Sequence, residues 1–442
     1  MVKWLEYLNL AVFIIFFCCY AYQFAYIGVR IFAKAPVRTA RKLHKYAVII
    51  AARNESQVIG ELIESIKSQK YPQDQIEIFV VADNCTDETA DVASSLGANV
   101  YVRNNLEEIG KCYALNHAFS KIDETYGIRH FDGYFVFDAD NVLDKNYIKE
   151  MNAVFDDGYR VVTSYRNSKN YGYNWISAGY ALWFLRESKY LNGARMICHT
   201  SCAISGTGFL VSSEIIKEDG GWKYDLMTED IEFSTDKVIH GDTIGYCETA
   251  VLYDEQPVDF KTSWNQRMRW TKGFYQVITK YGAQLFRGCW GEKGFQCFDM
   301  LATIVPAVLL TLAMLLINFV AIVHGLVDEN NLLVTSALYC IWAAIRNMFL
   351  TLFFFGLITT ISEWKQIHCS TCKKIFYMFT FPIFMFTYVP IAVDTLFKYH
   401  KVTWVPVKHT FSGTMTDLYD DEDIMEPNPN LVASSIRDYR IS

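Results

Sequence analysis

The sequence predicts an α/β fold in which a mostly parallel sheet is covered by helices, joined to transmembrane and interfacial helices. Strand-like and helix-like segments alternate between residue 45 and about residue 260. Long apolar segments lie on both sides of this part, and hydrophobic residues make up 52% of the 442 residues while charged residues make up 20%. This composition is more apolar than that of most soluble proteins and indicates a membrane anchor.

The first strand–helix unit begins with YAVIIAARNE at 46–55, a β-branched apolar run that predicts a buried strand ending in a polar loop. Apolar residues at helical spacing between 56 and 69 then predict an amphipathic helix. The segments IEIFVVADNCTDETA at 76–90 and YFVFDADN at 134–141 repeat this plan. We therefore expect parallel strands whose carboxyl ends meet at one edge, where ligands of such sheets bind.

Acidic side chains follow the second and third predicted strands. Asp83 ends the second strand, and Asp138 and Asp140 flank Ala139 at the end of the third. Strand alternation directs the carboxylates of this DAD run to the same side, where they can share one hard cation such as Mg²⁺ or Mn²⁺. Such a cation keeps positions open for a diphosphate and can stabilise its departure. The alternative is a turn with two solvated aspartates.

Two further motifs place charged groups at helix starts. In MTEDIEF at 227–233, Glu229 and Asp230 follow a threonine. They are either acidic first-turn residues that suit the helix dipole, or Asp230 is a general base that deprotonates a sugar hydroxyl. GKCYALNHAF at 110–119 places Lys111 at a helix start, where it is either a phosphate partner or a surface lysine.

The glycine-rich GTGF at 206–209 predicts a strand or turn whose backbone can approach a flat substrate closely, and it lacks the spacing of a Rossmann or P-loop site. QRMRW at 266–270 places Gln266, Arg269 and Trp270 on one helical face. Gln266 and Arg269 can bind an anion, and the ring of Trp270 offers a flat surface for stacking. Alternatively, Trp270 anchors a helix at the membrane surface.

Four apolar segments indicate a membrane-integral protein. Residues 7–29 carry no charged side chain and are long enough to cross a bilayer of about 30 Å. No small-residue cleavage site follows, which argues against a cleavable signal peptide. Further apolar segments lie at about 300–325, 333–360 and 375–397. The basic cluster after the first span predicts that residues 30–298 lie in the cytoplasm, in a multi-pass plasma-membrane protein.

Charge and cysteine content narrow the function classes. The net charge of -7 and the lack of a basic stripe argue against nucleic-acid binding. The twelve cysteines have no repeating spacing, which is typical of reduced thiols in a cytoplasm-facing protein. Cys369 and Cys372 form a CxxC pair without a second pair, so we do not expect zinc.

Taken in order, Asp83, the DAD run, TED at 228–230 and QRMRW resemble the motifs of inverting glycosyltransferases of family 2. They most resemble the processive branch that contains cellulose, chitin, hyaluronan and poly-N-acetylglucosamine synthases. The resemblance covers roughly residues 45–275 by motif and the flanking spans by architecture. It implies a GT-A-type catalytic domain and dependence on Mg²⁺ or Mn²⁺.

The resemblance also implies roles for individual residues. Asp83 would hold the uracil of a UDP-sugar, although many relatives have two adjacent aspartates where this chain has Ala82 and Asp83. The other implied nucleotide- and donor-binding residues are Ala51, Arg53, Glu55, Lys111, Asp138, Gln266 and Arg269. Asp138 and Asp140 would hold the metal ion.

On the acceptor side, the resemblance implies that Asp230 is the base and that Glu229 lies beside the acceptor. Trp270 would stack on the acceptor sugar. The glycine-rich turn adds three expected acceptor contacts, which are Gly206, Thr207 and Gly208. The reaction would be a single displacement that converts an α-linked donor into a β-linked product.

The expected domain order is an N-terminal transmembrane helix (1–30), a cytosolic catalytic domain (45–260), interfacial helices (261–298), C-terminal transmembrane helices (299–398) and a last segment (399–442). A full crossing by the last apolar segment would leave a basic stretch outside. Pro382 and Pro390 allow a broken or re-entrant element instead.

The last segment begins with KVTWVPVKHTF at 401–411, which is either a gating segment or an interfacial stop. In a gating segment, Trp404, His409 and Thr410 could reach over the nucleotide. We expect the acidic end of the chain to be disordered.

The leading interpretation is a processive β-glycan synthase that uses UDP-glucose, with UDP-N-acetylglucosamine as the other donor considered. Its partners would be the UDP-sugar, a growing glycan, the lipid bilayer and accessory export or assembly subunits. One alternative is a non-processive glycolipid synthase that adds one sugar to a membrane lipid. Another is a membrane-bound binding or assembly subunit with an inactive catalytic domain, although every candidate catalytic residue is present.

Overall fold

The structure is a computed structural model that describes residues 1–305 and 307–401. Residues 402–442 lie outside the described residues, and with them Trp404, His409, Thr410 and the acidic end of the chain. Nearly all of the predicted gating segment therefore lies outside the described residues.

Eight strands and sixteen helices make up the described residues. The strands are β1 (Tyr46–Ala52), β2 (Ile76–Asp83), β3 (Asn99–Arg103), β4 (Gly133–Asp138), β5 (Val142–Leu143), β6 (Val161–Ser168), β7 (Phe209–Ser212) and β8 (Ile244–Asp254). The helices up to the end of the sheet are α1 (Val2–Tyr20), α2 (Tyr22–Phe32), α3 (Ile59–Lys67), α4 (Thr89–Ser95), α5 (Lys111–Tyr126), α6 (Tyr147–Asp156), α7 (Trp175–Arg186), α8 (Gly193–Ile197), α9 (Ser213–Asp219) and α10 (Glu229–Ile239). Those that follow are α11 (Phe260–Gly288), α12 (Gly294–Ile304), α13 (Ala307–Val327), α14 (Asn331–Ser362), α15 (Thr371–Phe386) and α16 (Tyr388–Phe397). A π-helical segment (Glu187–Asn192) joins α7 to α8, and short 3₁₀ turns lie at Gln73–Gln75 and Tyr399–Lys401.

The eight strands form one sheet in the order β3-β2-β1-β4-β7-β6-β8-β5. Strands β1 to β4 are parallel to one another, as the alternating sequence pattern predicts. Beyond β4 the sheet is mixed, because β7 runs antiparallel to both of its neighbours while β6 and β8 are parallel. The predicted α/β class is confirmed, with helices covering a sheet whose central strands are buried.

The register of the parallel strands brings the ends of the central strands to one edge. Ala51 in β1 lies opposite Asp138 in β4, and Ala52 lies opposite Ala82 in β2. The last residues of β2 and β4 are Asp83 and Asp138. The predicted convergence of these aspartates at one edge therefore follows from strand pairing alone.

Four helical segments are long and apolar enough to cross a membrane, judged by length and composition in the described part of the chain. They are Val2–Phe32, Leu309–Val327, Asn331–Ser362 and Thr371–Phe397. In each of the first three, 11% of the most apolar 18-residue stretch is buried inside the protein, whereas in the last segment 39% is buried. The last segment therefore packs against the rest of the protein more than the other three do.

The last apolar segment is broken at Thr387, between α15 and α16. Arg267 of α11, whose side chain is fully buried, donates to the carbonyl oxygen of Phe384 at 3.2 Å and to the hydroxyl of Thr387 at 2.5 Å. The guanidinium also lies 4.3 Å from the centre of the Phe384 ring. A cation at a helix C-terminus is favourable, so Arg267 stabilises the break from the side of the catalytic domain.

A buried ion pair joins the first span to the region around the sheet. Arg195 of α8 donates to both oxygens of Asp299 in α12, at 2.7 and 2.8 Å. The hydroxyls of Tyr22 and Tyr26 in α2 donate to the same carboxylate at 2.7 and 2.8 Å. Burial alone would raise the pKa of Asp299, but Arg195 and the hydroxyls outweigh it and hold that pKa below its usual range. The pair therefore stays charged and ties α2 to α8 and α12.

Candidate active site

A single cavity of about 1570 Å³ lies at the carboxyl edge of the central strands and continues between α1, α13 and α14. It brings together nearly all the residues that the sequence predicts as a site. Those that line it are Ala51, Arg53, Glu55, Asp83, Lys111, Asp138, Asp140, Gly206, Glu229, Asp230, Gln266, Arg269 and Trp270. Motifs that lie far apart in the chain thus face one space.

At one end of the cavity, Asp83 is held rigidly by its neighbours. Arg103 and Asn84 donate to its Oδ1 atom at 2.7 and 3.1 Å. The loops after β1 and β2 turn sharply at Asn54 and Asn84, which both have positive φ, a conformation that asparagine tolerates. Asn54 Oδ1 accepts a hydrogen bond from the Thr86 backbone at 2.8 Å, which joins the two loops. Since both fixed bonds go to Oδ1, the Oδ2 atom of Asp83 is the one left to meet a ligand.

In the middle of the cavity, Lys111 lies against Asp138. Its ammonium group donates to Asp138 Oδ1 and to the carbonyl oxygen of Gly206, the latter at 2.7 Å. Lys111 is the first residue of α5, as the sequence predicts. The side chain of Asp138 is 41% exposed to the cavity, so this pairing leaves part of the carboxylate accessible.

Thr207 and Gly208 do not line the cavity, which corrects their predicted contact with an acceptor. The Thr207 hydroxyl accepts from the Asp138 backbone at 2.9 Å and donates to Asn141 Oδ1 at 2.5 Å, so it braces the DAD turn from behind. Gly208 is packed into the sheet, and an added Cβ would lie 1.8 Å from Leu252 Cδ2. Of the three glycine-rich-turn residues, only Gly206 faces the cavity.

Glu229 and Asp230 begin α10, and the pKa of each carboxylate is raised. Burial raises the pKa of Glu229 and the charge of Asp230 raises it further, while Lys111 opposes both effects. Burial also raises the pKa of Asp230, against the backbone hydrogen bonds and the Lys111 charge that favour its ionised form. A carboxylate with a raised pKa is a better proton acceptor near neutral pH than an ordinary aspartate.

Gln266 and Arg269 present buried polar atoms without partners. Gln266 Oε1 and Arg269 Nε have no hydrogen-bond partner among the described residues. Burial lowers the pKa of Arg269, although the charges of Glu229, Asp138 and Asp230 oppose this. Because native proteins rarely leave buried polar atoms unsatisfied, these two atoms indicate a place for a bound group. A guanidinium suits an anionic one.

Trp270 lies on the same face of α11 as Gln266 and Arg269 and lines the cavity. Its ring makes edge contacts with Tyr180 at 5.6 Å and with Phe184 at 6.1 Å between ring centres. These contacts fix the ring as one wall of the site.

The DAD turn has the donor chemistry of a divalent-cation site. Asp138 and Asp140 both line the cavity, and the amide of Asn141 donates to Asp140 Oδ1 at 3.2 Å. Within residues 1–305 and 307–401, no group of three or more His, Cys, Asp or Glu side chains could enclose a metal ion. Two carboxylates fit a Mg²⁺ or Mn²⁺ ion whose other ligands are substrate phosphates and water.

Sequence reasoning missed a set of charged residues on the cavity wall near Asp230. They are Arg166, Arg186, Glu187 and Arg195. Three of them lie in the helical stretch from α7 to α8, which reads as a mostly apolar helix interrupted by isolated charges. Such charges in a buried segment were the available signal.

Towards the long apolar helices α1, α13 and α14 the cavity wall becomes mostly apolar. Its lining there includes Leu10, Phe13, Phe16, Leu310, Met314, Ala343, Met348 and Leu352. A few polar side chains, among them Asn9, Gln23 and Asn347, interrupt this surface.

Residues 44–273 match the profile of the family described as Glycosyltransferase like family 2. Three curated relatives are similar over rather more than half of the chain. A probable glycosyltransferase of Bacillus subtilis is 28% identical over 269 residues, which is 56% of this chain and 59% of the relative. A beta-monoglucosyldiacylglycerol synthase of Synechocystis is 26% identical over 240 residues, which is 53% of this chain and 48% of the relative.

A poly-beta-1,6-N-acetyl-D-glucosamine synthase of Staphylococcus aureus is 25% identical over 256 residues, which is 56% of this chain and 58% of the relative. The matched part of the chain thus spans about half to three-fifths of each relative's length. Among solved structures, a mannosyltransferase of Pyrobaculum calidifontis in complex with GDP-mannose and Mn²⁺ has a TM-score of 0.53 and 16% identity. The structural match covers 89% of this chain and 99% of the mannosyltransferase chain. The likeness shows a shared GT-A-like fold.

Gly206, which lines the cavity, and Gly208, which is packed into the sheet, should respond differently to an added methyl group. Both have positive φ, so alanine is strained at either position by roughly 1–2 kcal/mol. At Gly206 the nearest atoms lie 4.0 Å from the new Cβ, whereas at Gly208 the new Cβ collides with Leu252. We expect Gly208→Ala to lower the free energy of unfolding by about 1–3 kcal/mol more than Gly206→Ala does. Thermal unfolding of the two variants in detergent measures this, and equal losses would contradict the buried position of Gly208.

Proposed function

The chain belongs to glycosyltransferase-like family 2, and on this basis we propose that it transfers a hexosyl group from a UDP-sugar, with inversion, to a hydroxyl acceptor at the membrane. One observation carries the proposal. Asp138, Asp230 and Arg269, which come from three distant motifs, line the same cavity. Their position around one space supports the roles we propose for them, with Asp138 as a cation ligand, Asp230 as the proton acceptor and Arg269 as the group that binds an anion.

The donor end of the cavity would bind UDP. Asp83 presents its Oδ2 atom to the uracil, and Gln266 and Arg269 satisfy their unpartnered atoms on the diphosphate. Lys111, which already lies against Asp138, would contact the same phosphates. A divalent cation held by Asp138 and Asp140 would supply further positive charge to the leaving diphosphate. Fixed positive groups that face developing negative charge lower the barrier without reorganisation.

Asp230 would be the base that takes the proton of the acceptor hydroxyl. Its raised pKa gives the ionised form enough basicity for that step, and Trp270 provides a wall against which a pyranose ring can stack. The hydroxyl oxygen then forms a bond to the anomeric carbon as the bond to UDP breaks. Attack from the face opposite UDP gives a β-linked product from an α-linked donor.

For the acceptor we propose a growing β-linked glycan, with UDP-glucose as the preferred donor. The cavity supports this, because it leads from Asp230 into the space between the membrane helices, where a product chain could pass. The relative named as a poly-beta-1,6-N-acetyl-D-glucosamine synthase makes UDP-N-acetylglucosamine the second donor to test.

A glycolipid synthase is the second candidate, and a specific observation favours it. The membrane part of the cavity is lined mostly by aliphatic and phenyl side chains, which suit acyl chains better than sugar hydroxyls. The relative named as a beta-monoglucosyldiacylglycerol synthase agrees with this candidate. For both candidates we propose that the catalytic domain lies in the cytoplasm of a plasma-membrane protein, and the basic residues after the first apolar segment support this orientation.

The purified full chain should convert one UDP-sugar into product in the presence of Mg²⁺ or Mn²⁺ and lipid. We expect UDP-glucose to give a high polymer or ladder that a β-glucan hydrolase digests. A single glucolipid spot would establish the second candidate instead. No release of UDP from any donor, with either metal ion, would contradict both and leave an inactive assembly subunit.

Asp230→Asn should abolish transfer while donor binding persists. The amide keeps the size of the side chain but cannot accept the proton, so we expect a loss of about 10²–10⁴-fold in rate. The affinity for UDP, measured by calorimetry on the same preparation, should stay within about twofold. Asp157→Asn, at an exposed carboxylate, is the control and should behave like the unmodified protein. Unchanged transfer by Asp230→Asn would refute its assignment as the base.

Lys111→Gln should move the acid limb of the pH–rate profile to higher pH. The reaction needs ionised Asp230, so its rate falls as pH drops through the raised pKa of that group. The Lys111 charge favours the ionised form of Asp230, so removing it raises this pKa further. Transfer rates at saturating UDP-sugar between pH 5 and 8 test the shift, with Lys217→Gln at the surface as the control. An acid limb that stays in place or moves to lower pH would show that the Lys111 charge does not act on Asp230.

A further inference from the structure

Glu187 stands on the cavity wall without an assigned role. It lines the same cavity as Asp230 and Trp270, and it is the first residue of the π-helical segment between α7 and α8. Within the described part of the chain, its carboxylate has no hydrogen-bond or ion-pair partner. A carboxylate facing a cavity without a donor is costly unless a ligand supplies one.

The arginines near Glu187 are already held by other groups. Arg166 is bonded to Asp254 at 2.6 Å and to the carbonyl of Ser205 at 2.9 Å. Arg195 is paired with Asp299. Burial raises the pKa of Glu187, and the charges of Arg166 and Arg195 only partly oppose this. Neither arginine therefore needs Glu187 as a counter-ion.

Arg186 is the exception among the neighbours. It donates to Gln23 of α2 at 2.5 Å and lies 4.4 Å from the centre of the Phe355 ring, with no carboxylate within ion-pair distance among residues 1–305 and 307–401. Glu187 could balance this charge at longer range. Such charge balance would be a purely structural role for Glu187, and an experiment has to distinguish it from ligand binding.

The backbone around Glu187 is fixed by the residues that follow it. The Ser188 hydroxyl accepts a hydrogen bond from the Arg166 backbone at 3.1 Å, and Asn192 Nδ2 donates to the carbonyl of Ala203. These bonds attach the π-helical segment to β6 and to the turn before Gly206. Short π-helical segments are frequent at functional sites, where they change the direction of a side chain.

Glu187 is also close to the acceptor side of the site. Phe184, one turn earlier in the helix, contacts the ring of Trp270 at 6.1 Å. An added Cβ at Gly206 would lie 4.0 Å from both Arg166 Nη1 and Asp230 Oδ2, so Arg166 and the base flank the same glycine. Arg166 in turn lies 3.7 Å from the centre of the Phe184 ring. This chain of contacts puts Glu187 on the wall that joins the base to the membrane part of the cavity.

We propose that Glu187 binds a hydroxyl group of the acceptor and orients it between Trp270 and Asp230. The inference rests on the proposed function, since it presumes transfer to a hydroxyl. A carboxylate accepts hydrogen bonds from sugar or glycerol hydroxyls, and a charged acceptor makes the stronger ones. The role is independent of whether the acceptor is a glycan end or a diacylglycerol.

The test measures transfer by the full chain in detergent micelles at saturating UDP-glucose, with diacylglycerol and cellotetraose as the two acceptor probes. For Glu187→Ala we expect the acceptor KM to rise roughly tenfold or more, with a smaller rise for Glu187→Gln, which keeps one accepting oxygen. The donor KM and the thermal unfolding midpoint should stay unchanged. Glu214→Ala, at an exposed carboxylate, is the control.

The double variant Arg186→Gln/Glu187→Gln separates acceptor binding from charge balance. If Glu187 only offsets Arg186, the double variant recovers the unmodified acceptor KM, and the proposal fails. An unchanged acceptor KM in Glu187→Ala, or a parallel change in donor KM and unfolding midpoint, overturns it as well. If the unmodified chain transfers glucose to neither acceptor while it releases UDP with no other donor, the proposed function itself fails.

Discussion

The crowding of carboxylates at the carboxyl edge of one sheet is the constraint on which the rest of the site depends. Strand pairing brings Asp83 and Asp138 together, and the start of α10 adds Glu229 and Asp230 to the same cavity. Within the described residues, only Lys111 offsets Asp138 directly. Burial raises the pKa of Asp230, and burial together with the Asp230 charge raises the pKa of Glu229. A raised pKa makes an aspartate a better base near neutral pH. The same negative charge favours a cation, and a cation with Arg269 favours a diphosphate.

Much of this arrangement could be predicted from the sequence because it follows from periodicity. Alternation of strands and helices fixes which ends of β1, β2 and β4 face the ligand, and helical spacing puts Gln266, Arg269 and Trp270 on one face. The same spacing turns Arg267 to the opposite face, where it binds the break at Thr387. Arg267 and Arg269 of QRMRW therefore face different parts of the protein, Arg269 the cavity and Arg267 the break between α15 and α16.

Other features depend on tertiary contacts that no local pattern reveals. GTGF reads equally well as a strand or as a substrate-facing turn, and only its packing against Asn141 and Leu252 turns Thr207 and Gly208 away from the cavity. The π-helical segment that aims Glu187 has no sequence signature, since the surrounding residues would suit a regular helix. The mixed half of the sheet likewise arises because β7, which comes later in the chain than both β4 and β6, inserts between them.

Buried arginines cross the junction between the part that carries the sheet and the long apolar helices, and they hold the two parts together. Arg195 is bound to Asp299 together with two tyrosines of α2, and Arg267 is bound to the end of α15. Arg30 at the end of the first span is ion-paired with Glu248 in β8. Removing one partner of a buried pair leaves a charge without compensation, so these contacts resist separation of the two parts. Since α1, α13 and α14 form the far wall of the cavity that contains Asp230, the space open to an acceptor is set jointly by both parts. Under the proposed function, acceptor choice would therefore depend on both parts of the structure, and the catalytic motifs alone would not determine it.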